Sequence, residues 1–189
     1  MKRLGHFLVF VMLVGMVPPA FSADTKADPV LTAPGEAHQV LASMAGNWTF
    51  KAQALNATGT ESYVLTGSSQ NTILYGGRFL RQEYKCKLKS GEMLEGVRVI
   101  GYDNIKQTYQ MFIVDNATTR IIFMPGVFDP GTQRLSFAGT VSAPGMGEKE
   151  LAARIVITLV NKDQYSTSLF TKGSDGKEFK AMETLYSRN

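Results

Sequence analysis

The stretch Arg78-Phe79-Leu80-Arg81-Gln82-Glu83-Tyr84-Lys85-Cys86-Lys87-Leu88 decides the fold. Leu80, Tyr84, Cys86 and Leu88 fall on one parity and Arg81, Glu83, Lys85 and Lys87 on the other, which is the alternation of a half-buried strand. Gln82 shares the apolar face. Similar segments rich in Val, Ile, Thr, Tyr and Phe recur on both sides, and they predict strands over Asn47–Leu55, Glu61–Leu74, Arg78–Leu88, Glu92–Gly101, Gln107–Asp115, Arg120–Val127, Arg134–Val141, Glu150–Val160, Gln164–Lys172 and Glu178–Ser187. Short links such as Ser90-Gly91, Asp103-Asn104 and Asp129-Pro130-Gly131 carry turn chemistry and imply antiparallel hairpins. An open sheet of about ten strands leaves two unpaired edges, and closure into an up-and-down barrel removes both. A sandwich is the alternative, although it asks for longer crossing connections than these.

Ahead of the strands, Ala37, Val40, Leu41 and Met44 recur at helical spacing between Pro34 and Gly46, so a short helix leads into the barrel over 34–44. Residues 23–33 are polar, contain proline and show no periodicity, which marks a disordered leader. The extreme N-terminus has a different character. Lys2 and Arg3 precede an apolar run of eleven residues, Phe7 to Val17, followed by Pro18-Pro19 and the small residues Ala20 and Ser22. Residues 1–22 therefore predict a secretory signal peptide, and the mature protein is expected in the periplasm or outside the cell. Eleven helical residues span about 16 Å, roughly half the hydrocarbon thickness, so no stable membrane anchor is expected.

The 189 residues are 44% hydrophobic and 19% charged, enough for one sizeable core without a disulfide or metal staple. Removing Lys2 and Arg3 lowers the formal charge from +4 to about +2, with both signs interspersed. That composition gives no electropositive face and speaks against a nucleic-acid partner. Arg81, Lys85, Lys87 and Lys89 form a basic stripe, but Glu83 interrupts it. The lone Cys86 reads as a buried, inert thiol on the apolar face. Without His6, which leaves with the signal peptide, His38 is the only histidine. It is expected on the solvated side of the leading helix, so no metal, haem or catalytic-triad arrangement is implied and no cofactor is expected.

Met44-Ala45-Gly46-Asn47-Trp48, Gly76-Gly77-Arg78-Phe79-Leu80-Arg81-Gln82-Glu83-Tyr84, Gly101-Tyr102-Asp103-Asn104, Val114-Asp115, Gly126-Val127-Phe128-Asp129 and Glu183-Thr184-Leu185-Tyr186-Ser187-Arg188 together resemble a bacterial family of uncharacterised proteins, domain-of-unknown-function family fifteen seventy-nine. The resemblance covers nearly all of 44–188 and implies an all-β, lipocalin-like (calycin) barrel domain over 34–189, in which Trp48 plugs one end. It brings no substrate, catalytic residue or cofactor.

Two functional classes follow. The first is a binding module holding a small hydrophobic or amphipathic molecule, with Trp48, Gln82, Tyr84, Arg98, Tyr109, Met111 and Glu183 as candidate ligand-binding residues. Glu183 is also a candidate partner for an inward Arg98 or Arg154. The second is a structural or interaction protein of the bacterial envelope with a solid barrel. An enzyme has no motif behind it, and composition leaves the oligomeric state open. The processing expectation is testable: N-terminal sequencing of the protein from its own host should begin at Ala23 or Asp24, and an intact Met1 in a carbonate-resistant membrane pellet overturns it.

Overall fold

The computed structural model describes residues 29–55, 62–141, 150–173 and 176–189. The expected signal peptide lies outside these residues, as does most of the leader. The chain runs α1 (Pro29–Thr32), α2 (Glu36–Ala42), β1 (Gly46–Leu55), β2 (Ser62–Leu74), β3 (Phe79–Lys87), β4 (Met93–Asp103), β5 (Thr108–Asp115), β6 (Ile122–Asp129), β7 (Arg134–Val141), β8 (Leu151–Asn161), β9 (Gln164–Lys172) and β10 (Glu178–Arg188). Every strand pairs antiparallel with its sequence neighbours, and β10 pairs with β1 to close the barrel. All ten strands fall within two residues of their expected positions. The main helix is shorter than the expected 34–44 because Gly35, in extended conformation, is its N-cap. The single turn α1 ends the segment expected to be a disordered leader.

Strand alternation sorts the side chains. In β1, Trp48, Phe50, Ala52 and Ala54 point inward between exposed neighbours. Bulky residues concentrate toward the end that α2 covers, where Leu41, Met44, Trp48, Leu80, Ile100, Met111, Met124, Leu135, Phe137 and Ile157 are essentially sealed from solvent. The three carbonyls that follow α2 have no partner within the helix. Barrel side chains supply them: Trp48 Nε1 donates to the Met44 carbonyl at 3.0 Å, Asn71 Nδ2 to the same oxygen at 2.8 Å, and Arg188 to the Ala45 and Ser43 carbonyls at 2.6 and 3.2 Å. The Arg188 guanidinium also lies over the Trp48 ring, 4.2 Å from its centroid, where the ring quadrupole attracts a cation. Gly46 permits this contact, since its φ of +127° is open to glycine and a Cβ there would meet Arg188.

Three expectations change. His38 is 5% exposed rather than solvated, because it lies on the stripe of α2 that faces the barrel. Its Nδ1 accepts the Gly35 N–H at 3.0 Å and its ring meets Tyr102 edge-on, so it caps the helix, and burial lowers its pKa. Arg154 points outward, paired with Glu178 at 2.6 Å and stacked on Phe170. Glu183 also faces outward, bound to Lys180 at 2.8 Å. A β-bulge between Lys180 and Met182 resets the alternation, so two residues of opposite sequence parity emerge on one face. Cys86 is a buried free thiol, and burial raises its pKa.

Trp48→Ala should cost about 3 to 5 kcal/mol in urea denaturation, as a large-to-small core change. A cycle combining it with Arg188→Met should show a coupling of about 1 to 2 kcal/mol, and strict additivity would mean that the stacked pair does not act as a unit.

Candidate ligand chamber

The half of the barrel remote from α2 is hollow. A cavity of about 230 Å³ lies between Phe50, Leu65, Ile113, Ile155, Leu169 and Met182 on its apolar walls. Small side chains create the space: Ala52, Cys86, Thr167 and Thr184 line it where the covered half has Met, Leu, Phe and Trp. Gly96 adds room of a different kind, because the Tyr84 ring lies directly over it where a Cβ would stand.

The floor is an aromatic and amide layer. Tyr165 and Tyr186 stack with centroids 4.3 Å apart and planes 9° from parallel, and Trp48 meets Tyr165 edge-on at 4.7 Å. The Tyr165 hydroxyl accepts Gln82 Nε2 at 2.8 Å and Asn71 Nδ2 at 3.2 Å. Gln82, expected as an inward polar group, thus belongs to a buried network that ties β2, β3 and β9 together. Tyr109 and Met111 also point inward but sit in the filled half, where the Tyr109 hydroxyl donates to the Ala37 carbonyl at 2.8 Å. Trp48 lies beneath the floor. Of the seven residues singled out from sequence, Tyr84 and Arg98 line the cavity.

Other polar residues complete the lining, chiefly Asp115, Thr167, Thr184 and Tyr186. Asp115 was legible in principle, since the parity of Tyr109, Met111 and Ile113 carries on to it. Asp115 Oδ1 accepts the Ala117 and Thr118 amides at 3.1 and 3.2 Å, so this carboxylate caps the turn after β5. Arg98 has a buried Nε without a hydrogen-bond partner. Burial holds the Tyr84 phenol up at about 12 against the opposing pull of Arg98, and it raises Tyr186 in the same way.

A wider depression of about 880 Å³ crosses the outer wall, bordered by Gln70, Glu83, Lys85, Glu95 and Asn116. It opens to solvent along a charged surface and offers a ligand little desolvation.

The family model described as "Protein of unknown function (DUF1579)" matches residues 33–188. The chain belongs to this family. The DUF1579 barrel is similar in fold to the crystal structure of Rv2717c from M. tuberculosis, with a TM-score of 0.59 and 12% identity over 82% of this chain and 98% of that one. It is also similar to the S-type phycobiliprotein lyase CPES from Guillardia theta, with a TM-score of 0.54 and 11% identity over 81% of this chain and 92% of the other. At such identities the likeness is one of architecture. No curated protein matches the sequence.

The tyrosines test the burial of the barrel interior, Tyr84 in the chamber and Tyr109 in the filled half. Tyr84 and Tyr109 should ionise near 12 in the folded DUF1579 barrel, against about 10 in the unfolded chain. The fold favours the neutral phenols, so their contribution to stability is whole below pH 10 and lost as pH rises toward 12. Spectrophotometric titration of wild type against Tyr84→Phe and Tyr109→Phe should show two late-ionising groups disappear, and ionisation near 10 for both would mean that they are solvated.

Proposed function

We propose that this protein binds a small hydrophobic or amphipathic molecule inside the barrel, and that it does so after export to the periplasm or beyond. The cavity carries the reading: apolar walls, convergent polar groups and a sealed floor are the features of a small-molecule site. Its 230 Å³ exceeds the ~150 Å³ void that accepts benzene and falls below the ~300 Å³ at which drug-sized pockets begin. An occupant of one ring with a short tail, or a short acyl chain, fits that space. Solved barrels of similar fold include a phycobiliprotein lyase, so the architecture is compatible with a site of this kind.

The competing reading is an interaction protein of the envelope. Phe79, Phe112 and Phe123 on the outer wall of β3 to β6 favour it, being 38%, 39% and 57% exposed beside Val99. A cavity-filling substitution separates the two. Wild type should bind para-ethylbenzyl alcohol with a rise in melting temperature, and Ala52→Leu should weaken that binding about tenfold while leaving stability equal or higher. Equal binding by both proteins would place the probe outside the barrel, and no binding by wild type would favour the interaction protein.

A further inference from the structure

We propose that the chamber selects an anionic ligand, a small monocarboxylic acid with an aromatic or short acyl body, and that the Arg98 guanidinium is the group that receives the carboxylate. This rests on the barrel-binding reading above and gives its ligand a charge.

Arg98 sits mid-strand on β4, between Gln82 of β3 and Ile113 of β5, and lines the cavity. Arg98 is half-buried with its Nε fully buried, and a guanidinium drawn out of water to that extent gains from a compensating anion or a full set of acceptors. Among the described residues it has neither, for no carboxylate is within ion-pairing distance and its buried Nε has no acceptor. The other arginines with ion pairs spend their charge elsewhere: Arg154 on Glu178, Arg120 on Glu150, Arg81 on Glu83 and Arg188 on Asp163. Among the described residues Asp115 is the one acidic residue of the lining, and its Oδ1 is taken up by the two turn amides. The phenols within electrostatic reach of Arg98, those of Tyr84, Tyr165 and Tyr186, are all held neutral by burial.

An unmatched cation therefore faces a compact apolar chamber. A carboxylate matches the planar N–H fork of arginine bidentately, and the nearby Tyr84 hydroxyl offers another donor. The apolar body then lies against Phe50, Leu65 and Leu169. A second, longer-range consequence is that the Asp115 charge works against such a ligand and tempers its affinity.

The experiment is isothermal titration of the full mature chain with para-ethylbenzoate and with para-ethylbenzyl alcohol, which share a body and differ in charge. Wild type should bind the acid roughly 10- to 100-fold tighter than the alcohol, the range expected for a charge-assisted hydrogen bond. Arg98→Met should remove that preference while alcohol affinity stays within about threefold. Asp115→Asn, which keeps the turn-capping oxygen and leaves the guanidinium in place, should tighten the acid and spare the alcohol; it supplies a readout that does not depend on how Arg98→Met folds. The proposal is overturned if wild type binds the alcohol as tightly as the acid, if folded Arg98→Met keeps the acid preference, or if Asp115→Asn leaves acid affinity unchanged. Failure of both probes to bind wild type overturns the barrel-binding reading itself.

Discussion

The arginine that stacks on Trp48 holds together three parts of the chain remote in sequence. Arg188 closes the last strand onto the first, covers the indole that fills the barrel end, and donates to carbonyls that α2 and the turn after it leave without partners. Each of these is a small term alone. Their value lies in acting on one guanidinium, whose side-chain entropy is lost once while several interactions are gained.

A barrel filled at one end has a consequence for the other. Ten strands enclose more volume than eight, so equal side chains throughout would leave gaps everywhere. Here the large residues gather beneath α2 and the small ones beyond the Tyr165–Tyr186 stack, which concentrates the missing volume in one chamber. The stack and the Gln82–Tyr165–Asn71 bonds form a rigid partition between the halves. Rigidity there matters for binding, because a floor that moved would spend ligand affinity on ordering itself.

The electrostatics of the chamber are asymmetric. Outside the barrel, charges pair locally, as Lys180 does with Glu183 across the β10 bulge and Arg154 with Glu178. Inside, the phenols stay neutral and Arg98 stands against a carboxylate already engaged by its own turn. That difference follows from solvation. Surface pairs lose little when they separate, whereas an inward cation draws on whatever anion can reach it.

The strands and their faces were legible because a period of two, punctuated by Gly, Asn and Asp, needs no knowledge of the partner strand. That reading extended to closure, to the burial of Cys86 and to an inward Gln82; the family resemblance agreed with it across the domain and added the burial of Trp48 at one barrel end. Glu183 was misplaced because a bulge breaks parity without a residue that announces it, and His38 because a seven-residue helix can turn its stripe either way until something docks against it. Tyr165 and Tyr186 read as ordinary strand tyrosines, and no spacing joins Trp48 to Arg188. Sequence determined the inward face of a strand wherever its alternation runs clear and unbroken, since alternation is a local property of each strand. Only the tertiary structure decided which inward residues share a filled layer and which share a void, because that depends on register and on the volumes that neighbouring strands bring to the same height.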